Sequence, residues 1–291
     1  MRGYDLLPGL SVFASSYHSF IVDLWGVMHD GVTAFPEALD CLEKLKQQKA
    51  KVVILSNAPR RAHAVAARNR ELGIEDRLVD LVLSSGELAW RHLADRPDDW
   101  YRRIGRRCYH LGPGRDAGMR EGLSLLFTDE LSNADFILLT GPLGHHDTVD
   151  DYISLLEDAR DRKLPMICAN PDYVVIRGGR REICAGAIAL KYQELGGEVR
   201  YHGKPDPSVY RACLDALGLR EPDGILAIGD SLRTDIAGAT GFGMDSLFVA
   251  GGIHGEELGM DKGKDPDREK LTALIASAPA KPKGVLSRLF W

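Results

Sequence analysis

Short apolar runs that end in a small or polar residue recur along the chain. The clearest are FIVDLWGV (20–27), KVVILSN (51–57), LVDLVLSSG (78–86), ADFILLTGP (134–142), LPMICANP (164–171) and GILAIGD (224–230). Amphipathic stretches lie between them, among them ALDCLEKLKQQ (38–48) and DTVDDYISLLEDARDRK (147–163). A strand covered on both faces reads as a continuous apolar run, and parallel pairing needs a helical crossover. The alternation therefore predicts an α/β protein built on a doubly wound parallel sheet. Ligands of such sheets gather beyond the carboxyl ends of the strands. Asp23, Ser56 and Asp230 each stand at or beside such an end, so residues far apart in sequence are expected to converge.

A chain of 291 residues is long for one compact domain and comfortable for two, and its 44% hydrophobic content allows a full core. The net charge of −5 gives no basic surface to neutralise nucleic-acid phosphates. No segment approaches the roughly 18 consecutive apolar residues of a membrane span. Asp5, Pro8 and Gly9 interrupt the N-terminal segment where a secretory signal would need an apolar run. Cys41, Cys108, Cys168, Cys184 and Cys213 are scattered with no CxxC pair, so reduced thiols in the cytoplasm are expected. From about Gly263 the chain is rich in Lys, Asp, Pro and Gly before the apolar end VLSRLFW. It reads as a loosely held tail, with docking of Leu289, Phe290 and Trp291 on a partner as the alternative.

Four pieces carry the chemistry. Asp23 closes an apolar strand, where an ionised group has a partner or a task. Ser56-Asn57 closes the next strong strand; a hydroxyl and nearby amides suit a phosphoryl oxygen, though the pair is also common turn chemistry. Lys204, in HGKPDP (202–207), precedes a helix carrying Val209, Ala212 and Leu217. Asp230 and Asp235, in IGDSLRTDIAGA (228–239), flank a turn after a strand, and Mg²⁺ needs only one or two carboxylates plus water and phosphate. Together they supply a nucleophile, a metal site and two groups to hold a transferring phosphoryl.

In this order the sequence resembles the haloacid dehalogenase-like hydrolase superfamily. Within it, the likeness is to the capped sugar-phosphate and nitrophenyl-phosphate phosphatases (class IIA, with a C2-type cap). The matching stretches are IVDLWGVMHDG (21–31), VVILSNAPR (52–60), CANPDYV (168–174), CAGAIALKYQELGGEVRYHGKPDPSVY (184–210) and LAIGDSLRTDIAGATGFGM (226–244). The resemblance implies a Rossmann-like core at 1–94 and 181–291 with an inserted α/β cap at 95–180. It implies a phosphatase of small phosphorylated metabolites that forms an aspartyl-phosphate on Asp23. Direct Mg²⁺ ligands would be Asp23, the Trp25 carbonyl and Asp230; Asp235 would hold a metal-bound water or orient Lys204. Ser56, Asn57 and Lys204 would bind phosphate, with Lys204 neutralising charge. A homodimer through the cap is a further implication.

One position departs from that pattern. The family usually has a second aspartate two residues after the nucleophile, acting as general acid and base; here it is Trp25. An indole cannot take that part. Three readings follow: a working phosphatase using another group or needing no acid, a transferase or slow enzyme whose phospho-aspartate persists, and a regulatory phosphate- and metal-binding protein. The first is preferred because nucleophile, metal acids and lysine are all present. His29 and Asp30 are the nearest substitutes in sequence, with a structural part for His29 the plainer expectation. In the cap, Asn170, Pro171 and Asp172 match a motif of the capped branch and either face the substrate or form a turn. Arg177, Arg180 and Arg181 read as a solvated loop or an anion contact, and His145-His146-Asp147 as capping and surface residues. A receiver domain would place its acids ahead of the nucleophile, and a dinucleotide-binding enzyme would need GxGxxG.

Overall fold

The computed structural model describes residues 4–260 and 264–291. Three strands come first: β1 (Ser19–Val22), β2 (Lys51–Ser56) and β3 (Leu81–Ser84). Seven follow: β4 (Arg107–Leu111), β5 (Leu126–Thr128), β6 (Phe136–Leu139), β7 (Met166–Cys168), β8 (Val174–Arg177), β9 (Arg180–Ile183) and β10 (Val199–Tyr201). The last are β11 (Ile225–Gly229), β12 (Asp245–Val249) and β13 (Gly284–Leu286).

The outer two groups share one six-stranded parallel sheet, in the order β13-β12-β11-β1-β2-β3. Successive residues of a strand face opposite sides, and β1 shows why its run is apolar throughout. Phe20 and Val22 pack with Leu42 and Leu45 of the helix Pro36–Gln47, while Ile21 packs with Val209 and Leu214 of the helix Pro207–Leu217. β1 lies between β2 and β11, so the chain leaves it toward one side and returns on the other. That reversal opens a crevice at the carboxyl end of β1, directly at Asp23.

A second, five-stranded parallel sheet runs β10-β7-β6-β4-β5, and β8 and β9 form an antiparallel hairpin. This hairpin is the RGGRRE segment, read above as a solvated loop or an anion contact; it is a pair of strands, with Arg180 and Arg181 exposed. The expected return to the first sheet at 181 is also displaced. Ile188, Ala189 and Tyr192 of the helix Ala185–Glu194 pack with Met166 and Cys168, and β10 pairs with β7. Sheet membership therefore puts the return after Tyr201, because the glycines at 178 and 179 turn a hairpin instead of forming a linker. The other boundary falls in the helix Ser85–Asp95, whose Leu88 packs with the first sheet and whose Ala89 and Leu93 pack with the second.

The C-terminal segment is not a loose tail. Gly263 itself lies outside the described residues, but the helix Arg268–Ser277 and β13 build the edge of the main sheet. Leu286 and Leu289 are buried, and Leu10 N–H donates to the Phe290 carbonyl at 2.8 Å. All five cysteines are free thiols and buried. Among the described residues, no helix is long and apolar enough to cross a membrane.

Leu289 is 1% exposed in the main core, so Leu289→Ala is expected to lower unfolding stability by about 2–5 kcal/mol. A urea titration would show it; a midpoint unchanged from wild type would mean that the C-terminal segment does not contribute to the core.

Candidate active site

The crevice brings together the acids that the strand pattern scattered. Asp23 follows β1, Asp230 follows β11, and Asp235 lies in the wide helical turn Leu232–Ile236 that opens the next helix. One carboxylate oxygen from each lies within 4.8 Å of the others, and all three residues are buried. Two glycines make this approach possible. A Cβ at Gly26 (φ +72°) would stand 2.0 Å from Asp230 Oδ2, and one at Gly252 would stand 1.9 Å from the same oxygen.

Lys204 reaches the same point from the loop after β10. Its Nζ donates to Asp23 Oδ1 (2.6 Å), Asp235 Oδ1 (2.7 Å) and the Leu55 carbonyl (2.9 Å). Burial works against the ammonium, but Asp23 and Asp235 outweigh it and hold the Lys204 pKa well above normal. The carboxylates are less well served. Burial pushes the Asp23 pKa up to about 7 against the pull of Lys204, with Asp235 adding to the rise. Asp230 is raised by burial and then by repulsion from Asp23 and Asp235. Backbone amides give some relief: Ile253 N–H donates to Asp230 Oδ2 (2.7 Å) and Ser231 N–H to Asp235 Oδ2 (3.1 Å). One lysine among three buried acids leaves negative charge uncompensated, and a hard divalent cation with oxygen ligands fits that excess.

Ser56 ends β2 with its hydroxyl at the cavity, accepting from Ala58 N–H at 3.2 Å. Asn57 follows it, with its side chain turned to the lysine loop. Its Oδ1 accepts from Lys204 N–H (2.8 Å), and its Nδ2 donates to Asp172 Oδ1 (2.9 Å) and the Lys204 carbonyl (3.2 Å). The side-chain amide is engaged and fixes the lysine loop, which leaves the backbone N–H of Asn57 as the group that could face a phosphate. Asp172 crosses from the second sheet to this amide, and burial raises its pKa. Asn170 is mainly a turn former, its Oδ1 accepting from Asp172 N–H at 3.0 Å. Gly186 permits close backbone approach here: a Cβ would stand 2.4 Å from the Pro171 carbonyl oxygen.

Trp25 lines the cavity between His29, edge-on at 5.0 Å between ring centroids, and the Arg177 guanidinium, 4.8 Å from its ring. Neither substitute for the missing acid suits the part. His29 Nδ1 accepts from Gly31 N–H at 3.0 Å, and burial lowers its pKa to about 4, keeping the ring neutral. Asp30 Oδ1 accepts from Val32 and Thr33 N–H at 2.9 and 2.7 Å and serves its own turn. The β8–β9 hairpin closes over this loop, with Gly178 N–H donating to the Asp30 carbonyl at 3.2 Å. His145 pairs with Glu182 at 3.3 Å and Asp147 Oδ2 caps Gly144 N–H at 2.8 Å, so the His145-His146-Asp147 run gathers no metal site. The cavity, of about 280 Å³ and open to solvent, is lined by Asp23 and Lys204 and also by Asn69, Arg115 and Asp116.

In the folded chain Asp23 keeps its proton up to about pH 7, against 3.8 for the ordinary carboxyl. Folding therefore takes up a proton between those values, and the stability this group contributes falls as pH rises across them. With divalent ions chelated, Asp23→Asn is expected to raise the melting temperature by a few degrees at pH 7.5 and to change it little at pH 4. A lower melting temperature at pH 7.5 would contradict the charge excess described here.

Residues 20–123 match the family model for haloacid dehalogenase-like hydrolases, and residues 201–274 match a second, HAD-hydrolase-like model. A hydrolase of the haloacid dehalogenase-like family from Brucella suis is 32% identical, covering 98% of this chain and 100% of its own, with a TM-score of 0.83. The ribonucleotide monophosphatase NagD of Escherichia coli is 26% identical over 236 residues, 80% of this chain and 87% of that protein. A glycerol phosphate phosphatase from Mycobacterium tuberculosis, solved in complex with magnesium, is 22% identical and shares the fold at a TM-score of 0.66 over 94% of this chain and 76% of its own. With the Brucella protein alike over its whole length and the acids converging at the sheet reversal, this chain belongs to the haloacid dehalogenase-like hydrolase family.

Proposed function

We propose that the chain is a Mg²⁺-dependent phosphatase of small phosphate monoesters that works through an aspartyl-phosphate on Asp23. The observation that carries the reading is the Lys204 ammonium held between Asp23 and Asp235 beside Asp230, all lining one cavity. The names of the relatives, a ribonucleotide monophosphatase and a glycerol phosphate phosphatase, support the same class. Asp23, Asp230 and the Trp25 carbonyl would hold the ion, with Asp235, both of whose oxygens are engaged, acting through Lys204 or a water. When bound, Mg²⁺ would neutralise the phosphoryl oxygens and orient them for in-line attack.

The chain's own residues supply the rest. Asp23 attacks phosphorus, forming an acyl phosphate as the P–O bond to the alcohol breaks. Lys204 neutralises charge on the transferring group, and the Ser56 hydroxyl can donate to one of its oxygens. Water then cleaves the acyl phosphate and restores the carboxylate. Trp25 cannot protonate the departing alcohol; the carboxyl that reaches this end of the cavity from the cap is Asp172. A slow or inactive phosphate-binding regulator, or a phosphotransferase, is the second reading, favoured by Trp25 and by the engagement of His29.

Purified protein with Mg²⁺ is expected to release phosphate from p-nitrophenyl phosphate, and to lose that activity on chelation or in Asp23→Asn. Absence of release from this ester and from a panel of small phosphates would favour the second reading. The missing acid should also appear in the leaving-group dependence. Trp25→Asp is expected to raise turnover of alkyl phosphates at least about tenfold, against the roughly 10²–10⁴ of general acid–base catalysis, with a smaller effect on p-nitrophenyl phosphate. Asp172→Asn is expected to lower alkyl phosphate turnover selectively. Parallel changes for both leaving groups would remove Asp172 from proton transfer.

A further inference from the structure

Pro171, Asp172 and Tyr173 follow β7 in the cap, and one side chain of the main domain reaches all three. Arg233 Nη2 donates to the Pro171 carbonyl at 2.7 Å and lies 4.0 Å from Asp172 Oδ1, and the guanidinium sits 3.8 Å from the centre of the Tyr173 ring. Arg233 belongs to the turn Leu232–Ile236, which also carries Asp235. That turn is itself fixed. Ser231 Oγ accepts from Thr234 N–H at 3.2 Å, and the Tyr210 hydroxyl donates to the Asp235 carbonyl at 3.2 Å. A partly exposed arginine in an isolated ion pair contributes little. Three contacts with consecutive residues, made from a held turn, define where that segment lies.

The contacts close a circuit around the lysine. It runs from Arg233 to Asp172, from Asp172 Oδ1 to Asn57 Nδ2 (2.9 Å), from Asn57 Oδ1 to the Lys204 N–H (2.8 Å), and from Lys204 Nζ to Asp235 Oδ1 (2.7 Å), in the turn where it began. Asn57 occupies Oδ1 of Asp172, which leaves Oδ2 as the oxygen for a ligand of the cavity that Asp172 lines. Keeping a further carboxyl near the three acids needs a counter-charge: Asp235 repels it, while Lys204 and Arg233 attract it. Lys204 is already shared between Asp23 and Asp235, so Arg233 is the cation left to hold Asp172. Arg233 does not itself line the cavity that holds Asp23 and Lys204. It lines the neighbouring cleft, to which Asp172 and Tyr173 also contribute, and so acts on substrate only through the segment it grips.

We infer that Arg233 is a positioning residue: by gripping Pro171, Asp172 and Tyr173 it keeps the Asp172 carboxyl at the cavity, where turnover of esters with basic leaving groups depends on it. The inference rests on the phosphatase reading and on the part given there to Asp172. Charge alone does not suffice for this grip. An ammonium lacks the planar fork that stacks on Tyr173 while donating to the Pro171 carbonyl.

The test compares p-nitrophenyl phosphate with phenyl phosphate, which share a ring and differ in how much the departing oxygen needs a proton. With Mg²⁺ present, Arg233→Ala is expected to lower kcat for phenyl phosphate about ten- to a hundredfold, the scale of a misplacement of about 1 Å, while KM and p-nitrophenyl phosphate turnover change less than about threefold. Arg233→Lys should recover part of the loss. In an Asp172→Asn background, Arg233→Ala should add less than about threefold, because the group it positions is gone. Hydrogen–deuterium exchange gives a readout without turnover: residues 172–176 should exchange about tenfold faster in Arg233→Ala, with β11 unchanged. If Arg233→Ala does not fold, Arg233→Gln is read in the same way. Equal losses for both esters, a loss that persists undiminished without the Asp172 carboxyl, or unchanged exchange at 172–176 would each overturn the inference. Wild-type protein that releases no phosphate from either ester would count against the phosphatase reading, and the exchange measurement would then decide whether Arg233 holds the segment.

Discussion

One buried ammonium among acids is the constraint from which the rest of this site follows. Lys204 compensates part of a cluster that burial makes costly, and its loss would leave Asp23 and Asp235 facing each other without a counter-charge. Its position is fixed on three sides: by the Leu55 carbonyl at the end of β2, by both polar atoms of Asn57, and by the acids themselves. The main sheet places the acids, the strand that returns from the cap places the lysine, and Asn57 joins the two. The small residues around Asp230 belong to the same constraint, because side chains at 26 or 252 would occupy the space of its carboxylate.

The cap is tied to this cluster more closely than a lid that merely covers it. Asp172 reaches Asn57, Arg233 donates to the Pro171 carbonyl at 2.7 Å, and Arg177 lies over Trp25. Trp25 offers its aromatic face to a cap arginine, 4.8 Å from the ring. The contact packs the cap hairpin against the loop that follows β1.

Much of this was legible in the sequence. Continuous apolar runs marked β1, β2, β6, β7 and β11, and an acid or hydroxyl at a strand's carboxyl end marked Asp23, Ser56 and Asp230. Those signals are local, and the sheet reversal turns them into one place. Features that depend on side chains meeting across the fold were not legible. The sequence does not show that Lys204 and Asp172 occupy the side-chain amide of Asn57. Asn69 sits within a polar helix and Asp116 in a short turn, with nothing beside them to distinguish either from solvated neighbours. The β8–β9 hairpin was hidden by its arginines, since Arg180 and Arg181 reach solvent from strand positions. The C-terminal strand was hidden by the polar composition of the residues ahead of it.

The arrangement of the main sheet also bears on the order in which the molecule can be assembled during synthesis. β1 is a central strand whose partner on one side, β11, is made only after the whole cap has been translated. Until then β1 has an unpaired edge and Asp23 has neither of its companion acids nor its lysine. The five-stranded sheet has all its members in one stretch of chain and can complete itself first, as domains made early generally do. The nascent protein can thus carry a finished cap above an unfinished core, and the charged centre forms only when the last strands dock and enclose it.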